Sequence, residues 1–179
     1  KKFDSYNAVF AVNMANLVLR DRDANLFDKA VSFRIMWHVV GDLHQPMHAV
    51  SRYSNRLPNG DRGGNLERLS SNKIARNLHE YWDRGAGFLS FKGKLSSGGV
   101  RDMVKNLTEQ NSCAKKDLRI SPEAWAKESY DIAVSYAYKS PVDHHYQVKA
   151  QEIVKQRLVL AGCRLAAMSN AIAAGDVVI

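Results

Sequence analysis

A chain of 179 residues with 45% hydrophobic and 25% charged content has the size of one compact domain and the composition of a soluble, core-forming fold, which excludes disordered and fibrous classes. The formal charge of +8 and pI near 9.6 favour a polyanionic partner such as a phosphate backbone, the alternative being an ordinary solvated basic surface. No run of about eighteen uninterrupted apolar residues is present, and the chain does not open on a signal-peptide pattern, so neither a membrane span nor a targeting peptide of its own is expected.

In chain order, nearly every segment reads as helix. From Phe3 to Leu19 the residues Phe3, Val9, Phe10, Met14, Leu17 and Val18 recur at three- and four-residue spacing with no proline between them, which predicts an amphipathic helix. A second helix, largely buried, is expected to start near Asp28 as its cap and to run through Val31, Ile35, Met36, Val39 and Val40 until Pro46 ends it. Residues 51–70 hold the turn cluster Pro58-Asn-Gly60-Asp-Arg-Gly63-Gly64-Asn65 and read as an irregular loop framing a site. It lacks the Lys-Ser or Lys-Thr ending of a phosphate-binding P-loop, and no apolar strand precedes it.

A further helix is predicted over Ser71 to Asp83, stopping at Gly85, and the Gly/Ser/Lys-rich stretch from Gly85 to Gly99 reads as a surface connection. Helices follow over Val100 to Gln110, and from Ser121-Pro122-Glu123 to Tyr138 with serine as cap and proline at the first position. After Pro141 a last long helix is expected over Gln147 to Ala174, ended by Gly175. There is no strand-like alternation and no repeat, so the expected class is all-α in one domain over residues 1–179.

The chemistry concentrates in two runs, His38-Val-Val-Gly-Asp42-Leu-His44-Gln-Pro-Met-His48 and Asn77-Leu-His79-Glu-Tyr-Trp-Asp83. His38 with Asp42, and His79 with Asp83, stand at positions i and i+4, so on helices each pair leaves one face within reach of a single ion. Imidazole and carboxylate are zinc-type donors, and five such groups turned inward are costly without a cation, so His38, Asp42, His48, His79 and Asp83 are candidate metal ligands. A lone histidine on an apolar face is more often a satisfied core residue; the repeated spacing is what outweighs that reading here.

His44 is out of phase with His38 and Asp42, and is expected to support the site from behind or to face solvent. His144 and His145 are read as surface or structural, and Trp37 and Trp82 as core packing. Asn65 is a candidate substrate contact, its alternative being turn chemistry. Cys113 and Cys163 are open to pairing with each other, with a cysteine elsewhere, or to staying reduced. A sequon at Asn106-Leu-Thr108 suits a secreted glycoprotein.

These residues resemble the zinc-dependent single-strand-specific nucleases and 3′-nucleotidases (class I nucleases), related in fold to bacterial zinc phospholipases C. The matching pieces are the two runs above, Gly60-Asp-x-Gly63-Gly64-Asn65, Trp125-Ala-x-Glu128-Ser129 and Ala161-Gly162-x-Arg164-Leu165-Ala166. The resemblance implies an all-helical fold with three zinc ions, in which His48, His79 and Asp83 hold one, while His38 and Asp42 contribute to a second and Asp42 bridges to a third. It implies hydrolysis of single-stranded DNA and RNA to 5′-mononucleotides by metal-activated hydroxide, 3′-nucleotidase activity, and a secreted or cell-surface location.

Family members carry, ahead of these motifs, an N-terminal tryptophan amine, two histidines and an aspartate that complete the other two zinc sites. None has a counterpart before His38. The expectation is a domain lacking its N-terminal third, with one zinc fully liganded by this chain and a separate or preceding segment supplying the remaining donors. The competing readings are a zinc phospholipase C and an inactive zinc-binding fragment. The positive charge favours nucleic acid over lipid, and a His/Asp set remote from both cysteines favours a catalytic over a structural metal.

Overall fold

The computed structural model describes residues 4–91, 93, 96–139 and 141–175, and it is all-α: among the described residues there are helices and two isolated bridges but no strand. Helix α1 spans Ala8–Arg20 and α2 spans Leu26–Asp42. Both start at an asparagine whose side-chain oxygen accepts a first-turn amide: Asn7 from Phe10 at 3.1 Å and Asn25 from Asp28 at 2.9 Å. Asp28 is therefore not the cap of α2 but its first-turn acid, bound by the Asn25 amide at 2.8 Å. Phe3, the expected start of α1, lies outside the described residues.

Helix α3 covers only Leu78–Asp83, shorter than the expected Ser71 to Asp83. The Asn72 side chain accepts the amides of Ile74 and Ala75 at 2.8 and 3.2 Å, and the Leu69 amide pairs with the Arg76 carbonyl at 3.0 Å. Those bonds use the backbone groups a helix would need, so helical winding waits for the Asn77 cap. Helix α4 spans Ser97–Gln110 and α5 spans Pro122–Ile132, the latter capped by Ser121 as expected and continued by one wide π turn over Ala133–Ala137. Helix α6, His144–Ala174, starts three residues earlier than expected because Asp143 caps it, placing His144 and His145 exposed on its first turn.

Two apolar clusters make the core. One gathers Val12, Met36, Val40, Leu43, Trp125 and Met168 from α1, α2, α5 and α6; the other gathers Met47, Leu78, Tyr81, Trp82, Ala133 and Tyr146. Leu43 belongs to the first and Met47 to the second, so the stretch between Asp42 and His48 is pinned at both ends. Trp82 is packed as expected, its indole N–H donating to the Tyr146 hydroxyl at 2.9 Å, and truncating it to alanine would cost about 3–5 kcal/mol. Trp37 corrects its expectation: α2 buries the stripe Ser32, Met36 and Val40, which leaves Trp37 55% exposed beside Phe33. For the same reason α2 is not largely buried, and Val31 and Ile35 are exposed.

Helix α6 is long and apolar enough by length and composition to cross a membrane. It nonetheless contributes to both core clusters and buries Arg157 and Arg164 inside the fold, which marks it as a core helix. A disulfide between Cys113 and Cys163, Cα atoms 6.5 Å apart, ties the segment after α4 to α6.

Candidate metal centre

His48, His79 and Asp83 each offer a donor atom within 4.8 Å of the others. Asp83 lies between the imidazoles, with Oδ1 at 3.1 Å from His48 Nε2 and Oδ2 at 3.5 Å from His79 Nε2. The two rings stack at 4.9 Å with an 11° interplanar angle. Donors bonded at zinc distances in a tetrahedron stand about 3.3 Å apart, so these edges fit one such ion, and His₂-carboxylate is an open, catalytic-type set. The donors come from different elements: His79 and Asp83 share a face of α3, while His48 sits on the short turn Pro46–Ala49 that follows the break at Pro46.

The surroundings orient these donors. His79 Nδ1 donates to the Gly63 carbonyl at 2.8 Å, which leaves Nε2 as the atom with a lone pair for a metal. Gln45 donates to Asp83 Oδ1 at 2.7 Å. Hydrogen bonding to Asp83 raises the His48 pKa above its usual value against the effect of burial. Burial pushes the Asp83 carboxyl upward, but the bonds from His48 and Gln45 and the neighbouring imidazole charges hold it below its usual value.

Asp42 forms the link to the second candidate pair. Its Oδ2 lies 3.3 Å from His38 Nε2 and its Oδ1 lies 3.4 Å from His48 Nδ1. His38 is 78% exposed, so the burial argument made for all five groups does not apply to it; it projects from the solvent side of α2. The structure thus brings three of the five together in one donor set and strings Asp42 and His38 beside them.

Behind the centre lies a buried polar network that holds the backbone between Asp42 and His48. Arg157 donates to the His44 carbonyl at 3.2 Å, to Glu128 at 2.6 Å and to Ser129 Oγ at 2.9 Å, and Ser129 donates to the Leu43 carbonyl at 2.6 Å. His44 is the supporting residue expected: its Nδ1 donates to the Val40 carbonyl at 2.7 Å, and Arg164 donates to Nε2 at 2.9 Å. Burial, with the nearby Arg157 charge, lowers the His44 pKa to about 3 and keeps the ring neutral. Sequence reasoning gave Gln45, Arg157 and Glu128 no role. The available signal was Arg157 and Arg164 at i and i+7 on the apolar face of one helix.

The centre opens into a cavity of about 230 Å³ bordered by Asp42, His48, Asp83, Arg157 and Leu158. A larger cavity of about 360 Å³ lies between α1 and α2, lined by apolar residues such as Phe10, Met14 and Ile35 with no metal-type group, and is not this site. Asn65 donates from its side-chain amide to the Arg62 carbonyl at 2.9 Å within the glycine loop.

Residues 2–174 match the family model described as S1/P1 Nuclease. Among curated relatives, Endonuclease 2 of Arabidopsis thaliana is 32% identical over 152 residues, covering 75% of this chain and 49% of that protein. Endonuclease 1 of the same plant is 30% identical over 154 residues, covering 78% and 48%. Nuclease S1 of Aspergillus oryzae is 23% identical, covering 90% of this chain and 60% of that protein. The chain spans about half the length of the plant relatives it matches. With the family model matching almost end to end and the His/Asp runs folded into one donor set, the chain belongs to the S1/P1 nuclease family.

Proposed function

We propose that this chain carries the metal centre of a zinc-dependent phosphodiesterase that hydrolyses single-stranded DNA and RNA to 5′-mononucleotides and removes phosphate from 3′-nucleotides. The observation that carries the reading is the His48–His79–Asp83 donor set, with His79 held in one tautomer, at the edge of an open cavity. Zinc bound there would supply a Lewis acid that neutralises phosphate charge, lowers the pKa of a bound water to about 7 and stabilises a leaving oxygen. The chain's own residues hold and aim it. His79 is locked by Gly63, Asp83 by Gln45, and His48 by the braced turn after Pro46.

Asp42, between His38 and His48, is the carboxylate we assign to sharing between neighbouring metal positions, and Asn65 is the proposed substrate contact in the glycine loop. A separate or preceding polypeptide segment supplying donors to His38 and Asp42 belongs to the same proposal. His38 stands open to solvent, on the side of α2 where Val31 and Ile35 are also exposed. A secreted or cell-surface location fits the disulfide and the exposed Asn106 sequon.

The test is zinc content by elemental analysis together with hydrolysis of denatured and duplex DNA, for the native sequence and His79→Ala. The reading expects zinc on the native chain, preference for denatured DNA, and loss of both zinc and hydrolysis in the variant. Unchanged zinc and turnover in His79→Ala refute the ligand assignment. The second reading, a zinc phospholipase C, shares the donor set; cleavage of phosphatidylcholine without cleavage of denatured DNA would select it.

A further inference from the structure

Asp61 is a wholly buried carboxylate that takes no part in the donor set. An ionised carboxyl at 0% exposure costs several kcal/mol unless it is hydrogen-bonded. Here the Tyr138 hydroxyl donates to Oδ2 at 2.6 Å, while the Arg52 amide and the Ser51 hydroxyl donate to Oδ1 at 2.9 and 3.4 Å. The Arg52 guanidinium pairs with Glu67 and covers the Tyr138 ring at 4.7 Å. The Asp61 backbone is fixed as well, its amide donating to the Arg52 carbonyl at 3.0 Å and its carbonyl accepting from Leu66 at 3.1 Å.

The residues just after this anchor carry unusual backbone. Arg62, Gly63 and Gly64 have φ of 56°, 62° and 82°, three consecutive left-handed residues of which only the glycines adopt that region freely. A non-glycine residue there costs of order 1–3 kcal/mol and persists only where the surroundings over-determine it. The conformation delivers the Gly63 carbonyl to His79 Nδ1 at 2.8 Å, and a side chain at Gly63 would overlap the Met47 carbonyl oxygen.

We propose that the buried Asp61–Tyr138 pair is a positioning device for the metal centre: it holds the glycine loop in its left-handed run so that the Gly63 carbonyl fixes the His79 ring with Nε2 toward the metal. This rests on the reading of His79 as a ligand. Asp61 and Tyr138 are positioning residues, acting only through Gly63 and His79. Tyr138 stands after the π turn that follows α5, so the anchor comes from an element remote in sequence from both the loop and α3.

The test uses Tyr138→Phe, which keeps the ring and removes the one hydroxyl, and Asp61→Asn, which keeps the shape and removes the charge. Leu107→Ala, in a buried position of α4, is the control for plain loss of stability. Two quantities are read below the unfolding temperature: zinc affinity by chelator competition, and the protonation of His79 Nδ1 by nitrogen-15 NMR of the metal-free chain. The expected result is zinc binding weakened about tenfold in both anchor variants, in the range for residues behind metal ligands. The His79 Nδ1–H signal should also broaden or shift to a mixed tautomer, with neither change in Leu107→Ala.

Anchor variants that lose stability yet keep wild-type zinc affinity and an intact Nδ1–H signal overturn the proposal. If the native chain binds no zinc, the ligand reading fails by itself. The NMR signal then still decides the positioning claim, a retained Nδ1–H in Tyr138→Phe overturning it and a lost one supporting it.

Discussion

His79 spends one ring nitrogen on the Gly63 carbonyl at 2.8 Å and turns the other toward Asp83 at 3.5 Å. A histidine tied this way presents a single donor in a single direction, so the loop that supplies the carbonyl is as much part of the centre as the helix that supplies the ring. Gly63→Ala tests this directly. At φ 62°, with the Met47 carbonyl in the way, the added Cβ forces the loop to move. The variant is expected to lose about 1–3 kcal/mol of stability and to bind zinc at least tenfold more weakly, as seen by thermal melting and chelator competition.

Arg164→Met removes the donor shared by Glu128 at 2.7 Å and His44 Nε2 at 2.9 Å. Breaking a buried pair by removing one partner costs about 3–5 kcal/mol, and Glu128, 39% exposed, places the expected loss at the lower end of that range. The Tm should fall by about 5–10 °C in calorimetry. A loss near zero would mean that Arg157 alone holds Glu128.

Acid should unfold the chain partly through Glu128. Burial pushes this carboxyl up, but hydrogen bonds and charge from Arg164 and Arg157 override it and hold the pKa down at about 2, below the ordinary 4.5. A carboxyl depressed in the folded state stabilises fully above its unfolded pKa and loses that contribution as pH falls from about 4.5 to about 2. The groups facing it are the two guanidiniums, with His44 on the far side of Arg164. Glu128→Gln should therefore be less stable than the native chain at pH 6, and its stability should change less across the acid window in urea titrations.

Reduction of Cys113–Cys163 opens a cross-link between residues 50 apart in sequence. Chain-entropy bookkeeping for a loop of that length gives about 4 kcal/mol of stabilisation. Melting with and without dithiothreitol should show a Tm drop of about 8–16 °C, and thiol titration of the untreated chain should find no free cysteine.

The helices and the i, i+4 ligand pairs were legible because both are local: apolar spacing, asparagine and serine caps and Pro46 lie within a few residues of what they determine. His44 could be set aside as a ligand from helical phase alone, and it sits where that phase puts it. The stretch 71–77 misled because Asn72 turns the chain with its own side chain, a competition that periodicity does not register. Trp37 misled because which stripe of α2 is covered depends on α1 and α6, not on the residue's own apolarity. Asp61, Glu128, Arg157 and Arg164 were opaque as a group, since their roles rest on bonds that cross tens of residues and no spacing announces them.

The π turn at Ala133–Ala137 has a consequence for which changes of length the chain tolerates. A wide turn of this kind holds one residue more than regular winding needs, and deleting a residue within it would return the helix to ordinary pitch. Everything beyond the deletion would then rotate by about 100° about the helix axis, taking the Tyr138 hydroxyl away from Asp61. A shortening that looks harmless, because it makes the helix more regular, would unlatch the glycine loop on the other side of the molecule.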